Sequence, residues 1–241
     1  MPDAPDFYNY RRNSDKRVLG DLAELAVRLG SIVRYDRAGT VVFAGDMESG
    51  LAPFTTLFGS AGAALTLTSD CALTGSQSAK LTCPTATTNH VGIGKYLAVQ
   101  GDSRMGLEAS FSFWTDPSFI ELQTTRISNG EYQKWGVKWD IQSGQFSIWN
   151  SAGGYTEIDF LLIPAINKHV FHTMKLVFDP PTVDYVRLMI DDWVINLSDY
   201  VGQSGSTGSR PYLLNMFYAN GIAGENNVLS VDDMIITVDE D

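Results

Sequence analysis

The sequence is poor in thiol and imidazole, with two cysteines and three histidines among 241 residues. The histidines are His90, His169 and His172. The last two flank a strand start, and three-residue spacing on a strand puts side chains on opposite faces, so no zinc pair is expected. No His-Glu-x-x-His, Gly-x-Ser-x-Gly or P-loop is present. No apolar run approaches 18 residues, so no membrane span is expected. The opening MPDAPDFYNYRRNSDKR lacks an apolar core, so no secretory signal is expected and the chain should remain in the cytoplasm where it is made, or leave by lysis. Positive charge is also short. Seventeen Lys and Arg face 28 Asp and Glu, a formal net charge of −11. Such a chain repels phosphate backbones, and no nucleic-acid partner is expected.

What is present is β text. Hydrophobic residues make up 44% and charged residues 19%, enough for a sizeable core. From residue 41 onward, short segments such as GLEASFSFWT, QKWGVKWDI, YTEIDFLLI and VLSVDDMIITV alternate in polarity or are rich in β-branched and aromatic residues. Clusters such as SNGEY, NSAGGY and DPPTVD separate them. GQSGSTGSRP reads as a surface loop. The pattern predicts an all-β fold, a two-sheet antiparallel jelly-roll sandwich over 41–241. CALTGSQSAKLTC reads as a hairpin turning near Gln77. Symmetric register would place Cys71 opposite Cys83, within reach of a disulfide; the alternative is two buried thiols.

Residues 1–40 differ, with seven basic and six acidic residues, net +1. They open as an arm carrying Phe7, Tyr8, Tyr10, Arg11 and Arg12. Leu22, Leu25, Ala26 and Leu29 then fall on one face of a short amphipathic helix over 21–29. Asp21 is placed as its N-cap and Gly30 as its C′ residue. A helix this short needs a surface on which to dock.

Several stretches resemble known folds. FAGDMESGLAPF followed by LTGSQSAKLTC resembles the opening of carbohydrate-binding-module jelly rolls. FHTMKLVFDPPTVDYVRLMIDDWVINL and LSVDDMIITV resemble paired and closing strands of concanavalin A-like and laminin-G-like domains. The resemblance implies this fold and, in many related modules, a structural calcium. The matching acids here are Asp46, Glu48, Asp232 and Asp233. The run Glu157-Ile158-Asp159 resembles the start of the laminarinase-like glycosidase motif, but leucines stand where its second glutamate belongs. A degenerate glycosidase is therefore the third reading, and no catalytic residue is assigned.

Trp135 and Trp139 share a strand face with Val137, as core residues would, while Lys134 and Lys138 form the polar side. Trp149 and Trp193 lie beside turns and are candidate glycan-binding aromatics. An unsignalled arm, a short helix and then a jelly roll resemble the layout of tailed-phage virion proteins. The leading expectation is a non-enzymatic capsid decoration protein of the virion. Its arm would contact capsid proteins or sister subunits in a homo-oligomer, and the jelly roll would face outward. The alternative is a carbohydrate-binding module for surface glycans.

Overall fold

The structure is a computed structural model that describes residues 39–85, 90–99, 101–162 and 169–241, without the side chains of 56, 57 and 159–162. The chain divides into two units, Met1–Arg37 and Ala38–Asp241. The expected arm and the helix over 21–29, with Phe7, Tyr8, Tyr10, Arg11, Arg12, Leu22, Leu25 and Leu29, lie outside the described residues.

The second unit is all β among the described residues, a jelly-roll sandwich of two antiparallel sheets. The first sheet runs, in spatial order, β13 (Trp193–Asn196), β12 (Asp184–Ile190), β11 (His172–Asp179), β6 (Met105–Phe113), β16 (Val228–Val238), β4 (Ser78–Thr82) and β3 (Ala64–Thr68). A further strand, β1 (Thr40–Gly45), pairs with the far half of β16. The second sheet runs β10 (Tyr155–Leu162), β9 (Gln145–Trp149), β8 (Glu131–Asp140), β7 (Phe119–Ser128), β15 (Tyr212–Asn220), β5 (His90–Leu97) and β2 (Thr56–Gly59). Its last member, β14 (Gln203–Ser206), lies beside the first half of β8.

Alternation along the strands builds the core. On β8, Trp135 and Trp139 point inward, 0% and 2% exposed. They stack on Phe178 and Phe146 with ring centroids 4.5 and 4.9 Å apart. On β6, Leu107, Ala109, Phe111 and Phe113 point inward, and Ile120 and Leu122 do so on β7. The intervening residues of β7 and β8 form the outer face of the second sheet.

Two expectations fail here. GQSGSTGSRP is not wholly a loop: Gln203–Ser206 pairs with Glu131–Lys134. Gly205 permits the approach, since a Cβ there would lie 2.6 Å from the Tyr132 ring. An edge strand held by backbone pairing needs no apolar alternation, so the text gave no strand signal. The cysteine hairpin is also not formed. Ser78 of β4 faces Thr68 of β3, and the chain from 69 to 77 is the connection. Cys71 therefore lies off the ladder, and both cysteines are free thiols, Cys83 buried. Burial pushes the Cys83 thiol up to about 12.

Candidate functional site

Several half-buried aromatics gather on the outer face of the second sheet, while the more exposed Trp114 and Trp193, 44% and 56% exposed, lie on the first sheet's side. Phe58, His90 and Tyr218 meet edge to face at 5.5–6.0 Å. Tyr96 meets Tyr212 at 5.3 Å. Trp149 meets Tyr155 at 5.0 Å. Gly92 makes the first cluster possible, because a Cβ there would fall 2.5 Å from Tyr218 Cβ and 2.7 Å from the Phe58 ring. The outer face of the first sheet carries Ser110, Ser112, Thr173 and Ser230 on its central strands, with Trp114 just past β6 beside Thr68, Lys80 and Ser230.

At the centre of the aromatic face stands Glu121 of β7, fully buried. Its cross-strand neighbours are Tyr218 on β15 and Lys138 on β8. One carboxylate oxygen, Oε2, accepts from the Tyr155 hydroxyl at 2.5 Å and from the Tyr218 hydroxyl. The other, Oε1, is enclosed and has no hydrogen-bond partner. Burial raises the pKa of Glu121 above the usual carboxylate range, and the two phenols and Lys134 and Lys138 only partly oppose it. Gly136 sits directly beside it, since a Cβ there would lie 3.0 Å from Oε1 and 3.5 Å from Trp149 Cβ.

Two lysines frame this centre. Lys134 Nζ lies 3.3 Å from the centroid of the Trp149 ring. Lys138 Nζ lies 4.2 Å from that of Tyr155 and 5.5 Å from that of Phe119. Cations above aromatic faces are attracted by the ring quadrupole. Burial lowers the Lys134 ammonium below its ordinary range, and Glu121 partly restores it. Trp149 is held on its edge too, donating from Nε1 to Gln203 Oε1 at 2.9 Å. Paired with Tyr155 across the β9–β10 ladder, it is the predicted glycan residue that joins this face.

Trp193 does not join it. It lies on β13, at the edge of the first sheet, 56% exposed. Glu157 is an exposed strand residue whose neighbour Ile158 is buried at 2%, as period two demands. The Asp159 side chain lies outside the described residues. Sequence alternation assigns Glu121, Lys134 and Lys138 to a polar face but gives no reason to single them out.

The four acids expected to hold calcium gather around the segment from 70 to 77. Glu48 accepts from Ser76 N at 2.7 Å, Ser76 Oγ at 2.8 Å and Gln77 N at 2.9 Å. Asp232 accepts from Leu73 N at 2.9 Å and Thr74 N at 3.2 Å. Asp46 accepts from Glu48 N at 3.1 Å. Asp233 sits in a β16 bulge at φ 54°, where the edge partner of β16 changes from β4 to β1. Its Oδ1 accepts from Thr74 Oγ1, while Oδ2 is buried and unpartnered. Burial first, then the Asp232 and Asp46 charges, raise Asp233 above the usual carboxylate range. Asp233 thus keeps one buried orphan oxygen beside the Asp232 and Asp46 charges. Both Glu48 oxygens tie the loop, and both Asp232 oxygens are engaged too, Oδ2 by Leu73 N and Thr74 N and Oδ1 by Asp233 N at 2.9 Å. Among the described residues, no three His, Cys, Asp or Glu side chains stand together at ligand distance, so other oxygens would have to complete the sphere.

No protein-family model matches the sequence, and no curated protein does. Solved structures do match in fold. One is an endo-β-1,4-glucuronan lyase from the fungus Trichoderma reesei, with TM-score 0.59, 10% identity, and cover of 83% of this chain and 96% of that one. Another is the cellulose-induced protein Cip1, at 0.53 and 15%, covering 80% and 96%. A third is a carbohydrate esterase of the Shiga toxin-encoding bacteriophage phi24B, at 0.51 and 12%, covering 84% and 100%. A galectin-like protein from Bacillus subtilis matches at 0.51 and 9%, covering 83% and 96%. At these identities the likeness is one of fold alone, a two-sheet jelly-roll sandwich.

Proposed function

We propose that this chain binds a carbohydrate on the outer face of its second sheet, without cutting it. The observation that carries the reading is the concentration of aromatic side chains there, with Trp149 and Tyr155 flanked by Lys134 and Lys138. Sugar recognition joins apolar ring faces to a few placed polar groups, and this face supplies both. The solved structures of like fold include a glucuronan lyase and a phage carbohydrate esterase, so the fold is one that carries glycan chemistry.

Glu121 and Glu157 stand too far apart to act as a glycosidase carboxyl pair. Glu121, Lys138, Ser147 and Glu157 form one cross-strand row. Glu121 and Glu157 are thus three strands apart, about 14 Å at ordinary strand spacing. Glycosidase carboxyl pairs stand about 5–9.5 Å apart. A glycan array probed with the wild type and with Trp149→Ala tests the proposal. Binding that the substitution removes supports it, and an array with no ligand, or ligands bound equally by both proteins, contradicts it.

Two further proposals stand beside this one. Among Asp46, Glu48, Asp232 and Asp233, the orphan oxygen of Asp233 contributes to a structural calcium whose sphere other oxygens complete. The arm over 1–40 anchors the chain to a capsid or to sister subunits in a virion, on the strength of its sequence alone.

A further inference from the structure

We propose that the glycan bound on this face is anionic, carrying carboxylate or sulfate groups on its sugar rings. The inference rests on the glycan-binding reading and deepens it. It begins with charge. The chain is strongly acidic at −11, yet the centre of its aromatic face carries two cations. Among the described residues, neither Lys134 nor Lys138 has an acid within ion-pair distance. The nearest carboxylate, Glu121, gives Oε2 to two tyrosine hydroxyls and accepts nothing at Oε1. Glu157 lies two strands from Lys138 in the same row, about 10 Å away.

Position adds a second argument. The Lys134 ammonium rests on the Trp149 ring, 3.3 Å from its centroid. A neutral sugar stacking on that face would have to displace the cation, losing its attraction to the ring. An anionic sugar would instead meet the ammonium as a partner. Lys134 is half-buried, so an anion there is poorly screened by water and strongly felt.

Reach adds a third. Lys134 and Lys138 are four residues apart on one strand, about 13 Å along β8. Gly136 lies midway and presents no side chain between them. The two charges therefore suit an oligosaccharide lying along β8, with anionic groups near each end of the strip.

The test compares polygalacturonate and hyaluronate with their carboxyl-reduced forms, and chondroitin sulfate with its desulfated form. Each is titrated calorimetrically into the full chain at low and at physiological salt. The expected result is at least one anionic polymer bound tenfold or more tightly than its neutral counterpart, with affinity falling as salt rises. Lys134→Met with Lys138→Met should erase that difference. A circular-dichroism melt of the double variant shows whether it folds, and Lys138→Arg, which keeps the charge, should keep the preference. Tighter or equal binding of the neutral forms overturns the inference and leaves glycan binding standing. If neither these pairs nor the array shows any ligand, both fall. A retained preference in the folded double variant also overturns the inference.

Discussion

The Tyr185 hydroxyl, carried by β12 of the first sheet, donates to the Trp149 carbonyl of the second at 2.7 Å. The same oxygen accepts from Gly136 N at 2.9 Å. The β8–β9 ladder pairs Val137 with Ile148 and stops there, one residue short of Gly136 and Trp149. A side chain crossing the core thus serves the backbone groups that the ladder leaves open, at the position where Trp149 leaves its strand. Tyr185→Phe removes one hydroxyl and strands a donor and an acceptor. Leaving such groups unsatisfied costs about 1–3 kcal/mol each. Urea unfolding should report a loss of about 2–6 kcal/mol for the two groups together, and glycan affinity should weaken as Trp149 loosens. Unchanged stability would show that water replaces the hydroxyl.

The tryptophans divide into three roles. Trp139→Ala empties a fully packed site beside Phe146 and should cost about 3–5 kcal/mol. Trp193→Ala, on an exposed edge strand, should stay within about 0.5 kcal/mol and leave glycan binding intact. Trp149→Ala should spare stability more than Trp139→Ala does while removing binding. Denaturant midpoints and one binding isotherm per variant check all three.

Asp233 predicts an unusual response to pH. Its folded pKa is raised, by burial and by the Asp232 and Asp46 charges. A raised carboxyl favours its protonated form in the folded state. Its stabilisation is complete below the unfolded value near 4 and is lost as pH rises through the raised folded value. In chelated buffer the melting temperature should therefore fall as pH rises above about 4, and Asp233→Asn should flatten that fall. Asparagine also tolerates the left-handed backbone at this position. Added calcium should raise the wild-type melting temperature at neutral pH by mass action and leave Asp233→Asn unmoved. A wild type indifferent to calcium would remove the cation proposal while leaving the pH argument intact.

The core was legible because period two is a strict rule. It placed Trp135 and Trp139 inside, and it put Lys134 and Lys138 on the opposite face. The site was less legible because its parts are distant in sequence. Glu121 lies 34 residues from Tyr155 and 97 from Tyr218, and nothing in FIELQTTRI announces that two phenols close over it. Trp149 and Trp193 both stand beside turns, yet strand order sends them to different sheets. The adjacent acids in VDDM, which break alternation, were the textual trace of the bulge at Asp233.

Removing residues 1–37 separates anchoring from folding. The body has its own core, so a chain beginning at Ala38 should melt cooperatively and bind glycan as the full chain does. If the arm anchors the protein, the shortened chain should lose particle binding or self-association, measured by co-sedimentation and light scattering. Assembly at undiminished affinity would contradict that role.

The most direct measurement is a proton–nitrogen correlation spectrum of the tryptophan indoles during glycan titration. Of the five tryptophans, Trp149 donates its Nε1–H to Gln203 on the proposed binding face, while Trp135 and Trp139 are buried, Trp193 lies on the other sheet and the exposed Trp114 directly follows β6 of that sheet. Saturation with the tightest array ligand should shift the Trp149 indole signal and leave those of Trp135, Trp139 and Trp193 in place. A shift at Trp193 with Trp149 unmoved would place the glycan on the other sheet and contradict the account.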